Sequence, residues 1–213
     1  MNIKNDFDEY FDKLDKNSFA YLSLTSKIER PIRDNFAYFL YKKYHENKLI
    51  SIEYTDSKIK RADLVILGLT GKPEIVIEFK ACYDFDLIER RIQEYVVAIM
   101  SDYIKHKDVK NIKKYYVLLA SSPKKAPEPK TIYDKIVKYY NYIKNFIVYD
   151  TEENNFNELK NNVNNAFSSS PLKAIYYKNK KLGNAFNVEC GLYCVVFEEK
   201  KVKHEKQTAH NKR

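Results

Sequence analysis

Two carboxylates and a lysine occur in a pair of segments that predict a β-hairpin. Residues 61–67 and 75–80 are rich in Val, Ile and Leu and flank a turn that contains Gly and Pro. Asp63 lies near the start of the first segment, and Glu78 and Lys80 lie near the end of the second. An antiparallel hairpin brings these two ends together.

The expected register places all three side chains on one face of the hairpin. With a symmetric turn, Asp63 lies opposite Lys80 and Val65 lies opposite Glu78, and side chains alternate with a period of two. Opposed Cβ atoms are then about 5 Å apart and diagonal ones about 7–8 Å apart. A β-bulge would shift this register. The alternative is a surface ion-pair cluster, but apolar residues on both faces indicate a central strand with charges at one end.

A phosphodiester is the substrate that this trio suits best. Two adjacent carboxylates match Mg²⁺, which prefers oxygen ligands and keeps several waters. A neighbouring lysine can orient a metal-bound water, help to deprotonate it and stabilise developing negative charge. The sequence contains no GxxxxGK[ST] phosphate loop, no HExxH zinc pair and no GxSxG nucleophile elbow.

The trio resembles the signature of the PD-(D/E)xK nuclease superfamily, which includes many restriction endonucleases and Holliday-junction resolvases. Fourteen residues separate Asp63 from Glu78-Phe79-Lys80, and Ala62 stands where the family usually has Pro. The resemblance implies that Asp63 and Glu78 bind Mg²⁺, with Mn²⁺ as a substitute, and that the Phe79 backbone carbonyl is a third ligand. It implies that Lys80 acts on the water. It also implies a restriction-endonuclease-like α/β fold, a mixed central sheet flanked by helices.

Two further side chains match positions that assist the site in branches of this superfamily. Glu29 resembles an upstream glutamate that completes the metal site. Alternatively, Ser26 and Glu29 form a capping box, unless Pro31 is the first helical residue. Gln93 fits the place of an assisting glutamine on the helix after the hairpin, although Val97 interrupts the Gln-x-x-x-Tyr pattern of the exonuclease branch. A solvated helix residue is the alternative for Gln93.

The remaining patterns predict the elements around the hairpin. A third apolar segment, residues 115–120, predicts a strand parallel to the second hairpin strand, because a helix separates the two. The C-terminal part predicts two paired strands, residues 172–178 and 186–198. Apolar residues at spacings of three and four predict helices in an N-terminal appendage around Phe7 and in residues 26–44, 88–103, 131–149 and 157–167.

The charge distribution favours an anionic partner. The net charge is +9, and Lys58, Lys60 and Arg61 flank Asp63, so we predict that they contact nucleic acid. The segment 200–213 has six Lys or Arg and one Glu, which predicts a disordered tail that binds nucleic acid non-specifically. The lysines of residues 105–114 are interpreted as a solvated face.

We expect one nuclease-like domain over residues 1–199, with its core at about 26–149, followed by the basic tail. No signal peptide or long apolar segment is visible, and the odd count of three cysteines argues against a disulfide framework. These features predict a cytoplasmic protein with no membrane partner. Cys190 and Cys194 are expected to be small buried residues.

The expected function is that of a Mg²⁺-dependent DNA endonuclease of the restriction type. Cutting both strands of double-stranded DNA requires two sites, which favours a homodimer. The alternatives are a structure-specific junction nuclease, a phage DNA-processing nuclease, a nuclease toxin, an RNA-directed nuclease, and a non-catalytic nucleic-acid-binding module on the same fold.

Overall fold

Groups of helices and groups of strands follow one another along the chain and produce a mixed α/β fold. The structure is a computed structural model that describes residues 1–88, 91–145 and 152–200. The strands are β1 (Lys48–Tyr54), β2 (Ala62–Gly68), β3 (Pro73–Tyr83), β4 (Lys113–Pro123), β5 (Leu172–Ala185) and β6 (Val188–Glu199). The helices are α1 (Ile3–Asp12), α2 (Lys16–Thr25), α3 (Glu29–Tyr44), α4 (Asp84–Ile88), α5 (Ile92–His106), α6 (Lys130–Tyr133), α7 (Tyr140–Asn145) and α8 (Glu152–Ala166).

One mixed sheet organises the described part of the chain. Its six strands have the order β1-β2-β3-β4-β6-β5, with β3 and β4 parallel and the other neighbours antiparallel. This arrangement confirms the predicted hairpin, the parallel third strand and the paired C-terminal strands. β1, a half-exposed edge strand, was not predicted, although Ile50, Ile52 and Tyr54 alternate with polar residues.

Helices cover both faces of the sheet. Side chains of α1, α2, α3 and α7 form a cluster with Ile77 and Phe79 of β3 on one face. α5 and α8 pack on the other face, against Leu118 and Tyr193 among others. Burial on both faces explains why β2, β3 and β4 are almost continuously apolar.

The N-terminal helix is part of the main core, so its predicted role as an appendage is wrong. Phe7 is fully buried and its ring stacks on Phe36 of α3, with 4.2 Å between ring centroids. The same ring meets Phe79 of β3 edge-on, at 6.5 Å. The apolar face of α1 therefore packs against the strand that carries the candidate site residues.

The predicted register of the hairpin is wrong by two residues. Val65 pairs with Val76 instead of Glu78, and the predicted pairing of Asp63 with Lys80 is also absent from the register of β2 and β3. A shift of two residues keeps every side chain on its original face. Asp63, Glu78 and Lys80 therefore still share a face.

The turn explains the shifted register. The connection between β2 and β3 is asymmetric, because the register changes between Ile66 and Leu67. Gly71 has a φ of 77°, in the left-handed region that glycine adopts without strain, and its N–H donates to the Gly68 carbonyl. The symmetric turn assumed from the sequence has no such bulge.

The predicted helix over residues 131–149 is wrong in its middle. α6 ends at Tyr133, and the chain forms turns before α7 begins at Tyr140. Tyr139 has a φ of 57°, and the Lys138 N–H donates to the Leu24 carbonyl of α2, so a tertiary contact replaces helical hydrogen bonding. The end of this predicted helix, residues 146–149, lies outside the described residues.

The other helices agree better with their patterns. The helix predicted over residues 88–103 corresponds to α5, which begins at Ile92 after the non-helical Arg91, and residues 89 and 90 lie outside the described residues. α8 begins at Glu152, five residues before the predicted start. Cys82, Cys190 and Cys194 are buried thiols without disulfides, as predicted for the last two. Within the described residues, no helix has the length and apolar character needed to cross a membrane.

The predicted basic tail lies almost wholly outside the described residues. Only Lys200 is described, and its Nζ donates to the carbonyls of Ser168 and Ser170 at 2.9 and 2.7 Å. The prediction of a disordered, nucleic-acid-binding tail therefore stays a prediction for residues 201–213.

We predict that Phe7→Ala destabilises the whole domain. Removing a fully buried aromatic side chain typically costs about 3–5 kcal/mol, and urea unfolding measures this loss. Asn5→Ala, on the exposed side of α1, should change the free energy of unfolding by less than about 0.5 kcal/mol. Equal, small effects of the two substitutions would mean that α1 is an appendage after all.

Candidate functional site

Asp63 lies where the pairing between β2 and β3 ends. The last residues paired in this direction are Leu64 and Ile77. One residue further, the Asp63 side chain replaces a backbone acceptor, because its Oδ2 accepts a hydrogen bond of 2.8 Å from the Phe79 N–H. The two strands are therefore no longer paired through their backbones at this end, and the Asp63 carboxylate links them.

Glu78 is a buried carboxylate that two residues of α5 hold from behind. Its Oε1 accepts hydrogen bonds from Nε2 of His106 at 2.5 Å and from Nζ of Lys105 at 2.7 Å. Glu78 is 3% exposed and His106 is fully buried. Burial raises the pKa of Glu78, but these hydrogen bonds outweigh burial and leave the pKa below its ordinary value. Glu78 therefore stays ionised at neutral pH.

The pKa of Asp63 is raised, whereas that of Glu78 is lowered. Burial raises the pKa of Asp63 to about 7; the Phe79 N–H opposes the shift, and the neighbouring Glu78 carboxylate adds to it. The neighbouring carboxylates thus favour the protonated form of Asp63 and the ionised form of Glu78. Two adjacent carboxylates repel each other when both are ionised, which is why one of the two pKa values is raised.

Lys80 extends into the same region from β3. Its Nζ lies 2.5 Å from Oδ2 of Asp102 and donates a hydrogen bond of 3.2 Å to the Phe79 carbonyl. Burial lowers the pKa of Lys80, but the pair with Asp102 outweighs burial and raises it above its ordinary value. Lys80 is therefore protonated at neutral pH, and it can orient a water or an anion rather than remove a proton.

Three residues of α5 complete the site and were not predicted from the sequence. Besides its bond to Glu78, Nζ of Lys105 lies 3.1 Å from Oδ1 of Asp102, so ion pairs run from Glu78 through Lys105 and Asp102 to Lys80. Asp102, Lys105 and His106 have the i, i+3, i+4 spacing of one helix face. The sequence did contain a signal for them, because polar residues interrupt the apolar face of the helix that packs on β3.

Glu29 is near the site, and the predicted capping box is absent. Ser26 ends α2, and its Oγ donates to the Leu22 carbonyl at 3.1 Å, whereas α3 begins at Glu29 without a side-chain cap. Burial raises the pKa of Glu29, and Lys80 and the backbone of Ala81 act against this shift. Glu29 therefore interacts with the lysine of the site, and its role as a metal ligand stays a prediction.

Arg33 provides a second cation beside Asp63. Its guanidinium, 5% exposed in α3, lies 3.7 Å from Oδ1 of Asp63 and forms ion pairs with Asp34 and Glu53. Glu53 has a φ of 52°, an unfavourable conformation for a residue with a side chain, and it also pairs with Arg61. Arg61, a predicted nucleic-acid contact, is thus exposed but already bound to a carboxylate.

The other predicted nucleic-acid contacts fall in two places. Lys58 and Lys60 are exposed and line a cavity that Lys105 also lines, so the structure places them next to the site. Gln93 is exposed near the start of α5 and lines a separate depression with Asn162. About 13 Å of helix axis separates it from Asp102, so the structure does not bring Gln93 to the site.

The donor atoms suit a metal ion that keeps part of its water shell. Within the described ranges, no three His, Cys, Asp or Glu side chains are grouped so as to hold a metal ion. The carboxylates of Asp63 and Glu78 and the carbonyl of Phe79 are hard oxygen donors on neighbouring residues of β2 and β3, and the Phe79 carbonyl accepts from Lys80. Mg²⁺ typically binds through one or two carboxylates and completes its octahedron with water and phosphate oxygens. A bound cation would favour the ionised form of Asp63, whose pKa is otherwise raised.

Comparison of the chain with models of known protein families, with curated proteins and with solved structures gave no match. The interpretation of this site therefore depends on its motif and on its geometry.

We predict that Asp63→Asn stabilises the metal-free protein at alkaline pH. Because the pKa of Asp63 is raised from 3.8 to about 7, the wild type loses stability as the pH rises from about 4 to about 7. Asparagine can accept from Phe79 and donate to Glu78 without ionising. In urea unfolding with EDTA, the free energy of unfolding of Asp63→Asn relative to the wild type should increase with pH. The increase should be at most about 1.4 kcal/mol per unit of pKa shift.

A matched control separates this effect from general changes in charge. Asp134 is exposed, and Asp134→Asn should leave the pH dependence of stability unchanged. If Asp63→Asn were no more stable, relative to the wild type, at about pH 8 than at about pH 5, Asp63 would not carry a raised pKa.

Proposed function

We propose that this protein is a Mg²⁺-dependent DNA endonuclease of the PD-(D/E)xK superfamily, with a restriction-endonuclease-like fold. One observation carries the proposal: Asp63 and Glu78 lie at the end of two central strands, Asp63 accepts from the Phe79 N–H next to Glu78, and Lys80 lies on the same face. These are the three residues of the family signature, and a sheet interior would not otherwise favour them.

Each residue of the site would have a separate role in phosphodiester hydrolysis. Asp63, Glu78 and the Phe79 carbonyl would hold Mg²⁺, for which Mn²⁺ would substitute. When bound, the metal ion would neutralise phosphate oxygens and lower the pKa of a bound water. Lys80, held protonated by Asp102, would orient the attacking water and stabilise the negative charge that develops on the phosphate.

Neighbouring residues would position Asp63, Glu78 and Lys80 and influence their charges. His106 and Lys105 fix Glu78 in the ionised form that a metal ligand requires. Arg33, 3.7 Å from Asp63, would favour the ionised form of that carboxylate. Glu29, through its interaction with Lys80, would influence the same water.

The charge distribution supports a nucleic acid as the substrate. The chain carries a net charge of +9, and the exposed Lys58 and Lys60 flank the site. We propose double-stranded DNA as the substrate and restriction-type cleavage as the role. A homodimer would bring two sites to the two strands.

The test is a cleavage assay with variants that leave the fold intact. Linear, supercoiled and branched DNA are incubated with Mg²⁺ or EDTA and with wild type, Asp63→Ala or Lys80→Met. We expect metal-dependent cleavage that falls by at least about 100-fold in both variants. The exposed-site controls Asp134→Ala and Lys125→Met should cut at the wild-type rate.

The products discriminate among the roles. Discrete fragments would indicate a sequence-specific nuclease, and nicks, smears or cuts confined to branched DNA would indicate a non-specific or structure-specific one. If folded wild-type protein cut none of these DNAs, the proposed DNA endonuclease would be wrong. If Asp63→Ala or Lys80→Met cut as fast as wild type, the assignment of the site would be wrong. If the protein cleaved RNA but no DNA, it would be a ribonuclease and not a DNA endonuclease.

A further inference from the structure

A cavity of about 600 Å³ adjoins the candidate site. It lies between the loop before β2, the turn before β3 and the segment from the end of α5 to the start of β4. Lys105 lines the cavity and at the same time donates to Glu78, so the same side chain contacts both the cavity and the candidate site. Its volume is in the range of pockets that hold a small molecule or a single nucleotide.

The cavity is strongly basic, although its lysines are far apart in the sequence. Lys58, Lys60, Lys72, Lys105 and Lys110 line it, against two carboxylates. One of these, Asp56, is occupied with its own loop, because it accepts from the N–H groups of Lys58 and Ile59. Lys60, Lys72 and Lys110 form no ion pair with any residue in the described ranges. These three cations are available to an anionic ligand.

The cavity also has an apolar wall. Ile104, on α5, is 57% exposed, and Val109 and Ile112 lie beside it in the lining. A free phosphate would make no use of this aliphatic surface, and an apolar peptide would leave the lysines unpaired. A nucleotide offers both a flat base for the apolar wall and phosphates for the lysines.

We propose that this cavity binds one unpaired nucleotide of the nucleic acid that is cleaved at the neighbouring site. The base lies on Ile104, and the flanking phosphates contact Lys60, Lys72 and Lys110. A base within a duplex would have to leave the stack to enter, at an energetic cost that an already unpaired base avoids. The inference rests on the proposed function and specifies its substrate: DNA with an unpaired nucleotide next to the cleaved bond.

Binding measurements in EDTA test the cavity without cleavage. Fluorescence anisotropy compares three short DNA duplexes: one fully paired, one with a single bulged thymidine and one with a bulged abasic residue. We expect the wild type to bind the bulged thymidine about tenfold more tightly than the paired duplex. The abasic bulge has the same charge and flexibility but no base, and it should lose most of this preference.

Substitutions locate the effect in the cavity. Ile104→Ala should remove the preference for the bulged thymidine, whereas Val97→Ala, at a 68% exposed position of the same helix, should keep it. Lys110→Gln should weaken the binding of all three duplexes and reduce the salt slope of log K by about 0.9. Lys125→Gln is the matched control, because Lys125 is exposed beyond the far end of β4.

Two results would overturn the inference. One is equal affinity of the wild type for the paired and the bulged duplex, and the other is a preference that Ile104→Ala retains. Either result combined with Mg²⁺-dependent cleavage would leave the proposed endonuclease standing without an unpaired-nucleotide site. A complete lack of both nucleic-acid binding and cleavage would contradict the inference and the proposed function together.

Discussion

The structure of the site depends on the burial of Glu78. An ionised carboxylate inside a sheet costs several kcal/mol unless cations and hydrogen bonds compensate for its lost hydration. Residues of α5, which packs on β3, provide this compensation. Lys105 and His106 contact Glu78, and Asp102 contacts Lys80. The helix that covers the sheet is thus also the helix that fixes the charges.

The same arrangement gives the two carboxylates different properties. His106 and Lys105 satisfy Glu78 and keep it ionised. Among the described residues, Asp63 has one N–H donor at hydrogen-bond distance, Phe79, and Arg33 lies somewhat further away. The pKa of Asp63 at about 7 is the consequence. A divalent cation would compensate for this imbalance, because it favours the ionised forms of both side chains. The electrostatics and the motif therefore lead to the same proposal.

Much of the hairpin could be predicted from the sequence because local rules determine it. Apolar composition marked β2, β3 and β4, the intervening helix indicated parallel pairing of β3 with β4, and alternation placed Asp63 and Glu78 on one face. The register itself was wrong because it depends on a bulge and on the left-handed conformation of Gly71, which the spacing alone does not reveal. The error was harmless only because it was an even number of residues.

Other features escaped prediction because they arise from contacts between distant segments. α1 belongs to the core because Phe7 meets Phe36 and Phe79, which no local pattern indicates. The segment between α6 and α7 is irregular because Lys138 bonds to α2. The lysines of the cavity come from three separate segments. Of the lysines within residues 105–114, which the sequence predicts to form a solvated face, Lys107, Lys110 and Lys113 are exposed, whereas Lys105 bonds to Glu78.

Calorimetric titration of Mg²⁺ and Mn²⁺ into the full chain measures whether Asp63 and Glu78 together bind a divalent cation. We expect saturable binding to the wild type and to Asp134→Asn. Binding should weaken by at least about 10-fold in Asp63→Asn and in Glu78→Gln, with both variants shown to be folded. Equal cation affinity in the wild type and both site variants, or no binding to the wild type, would contradict this expectation.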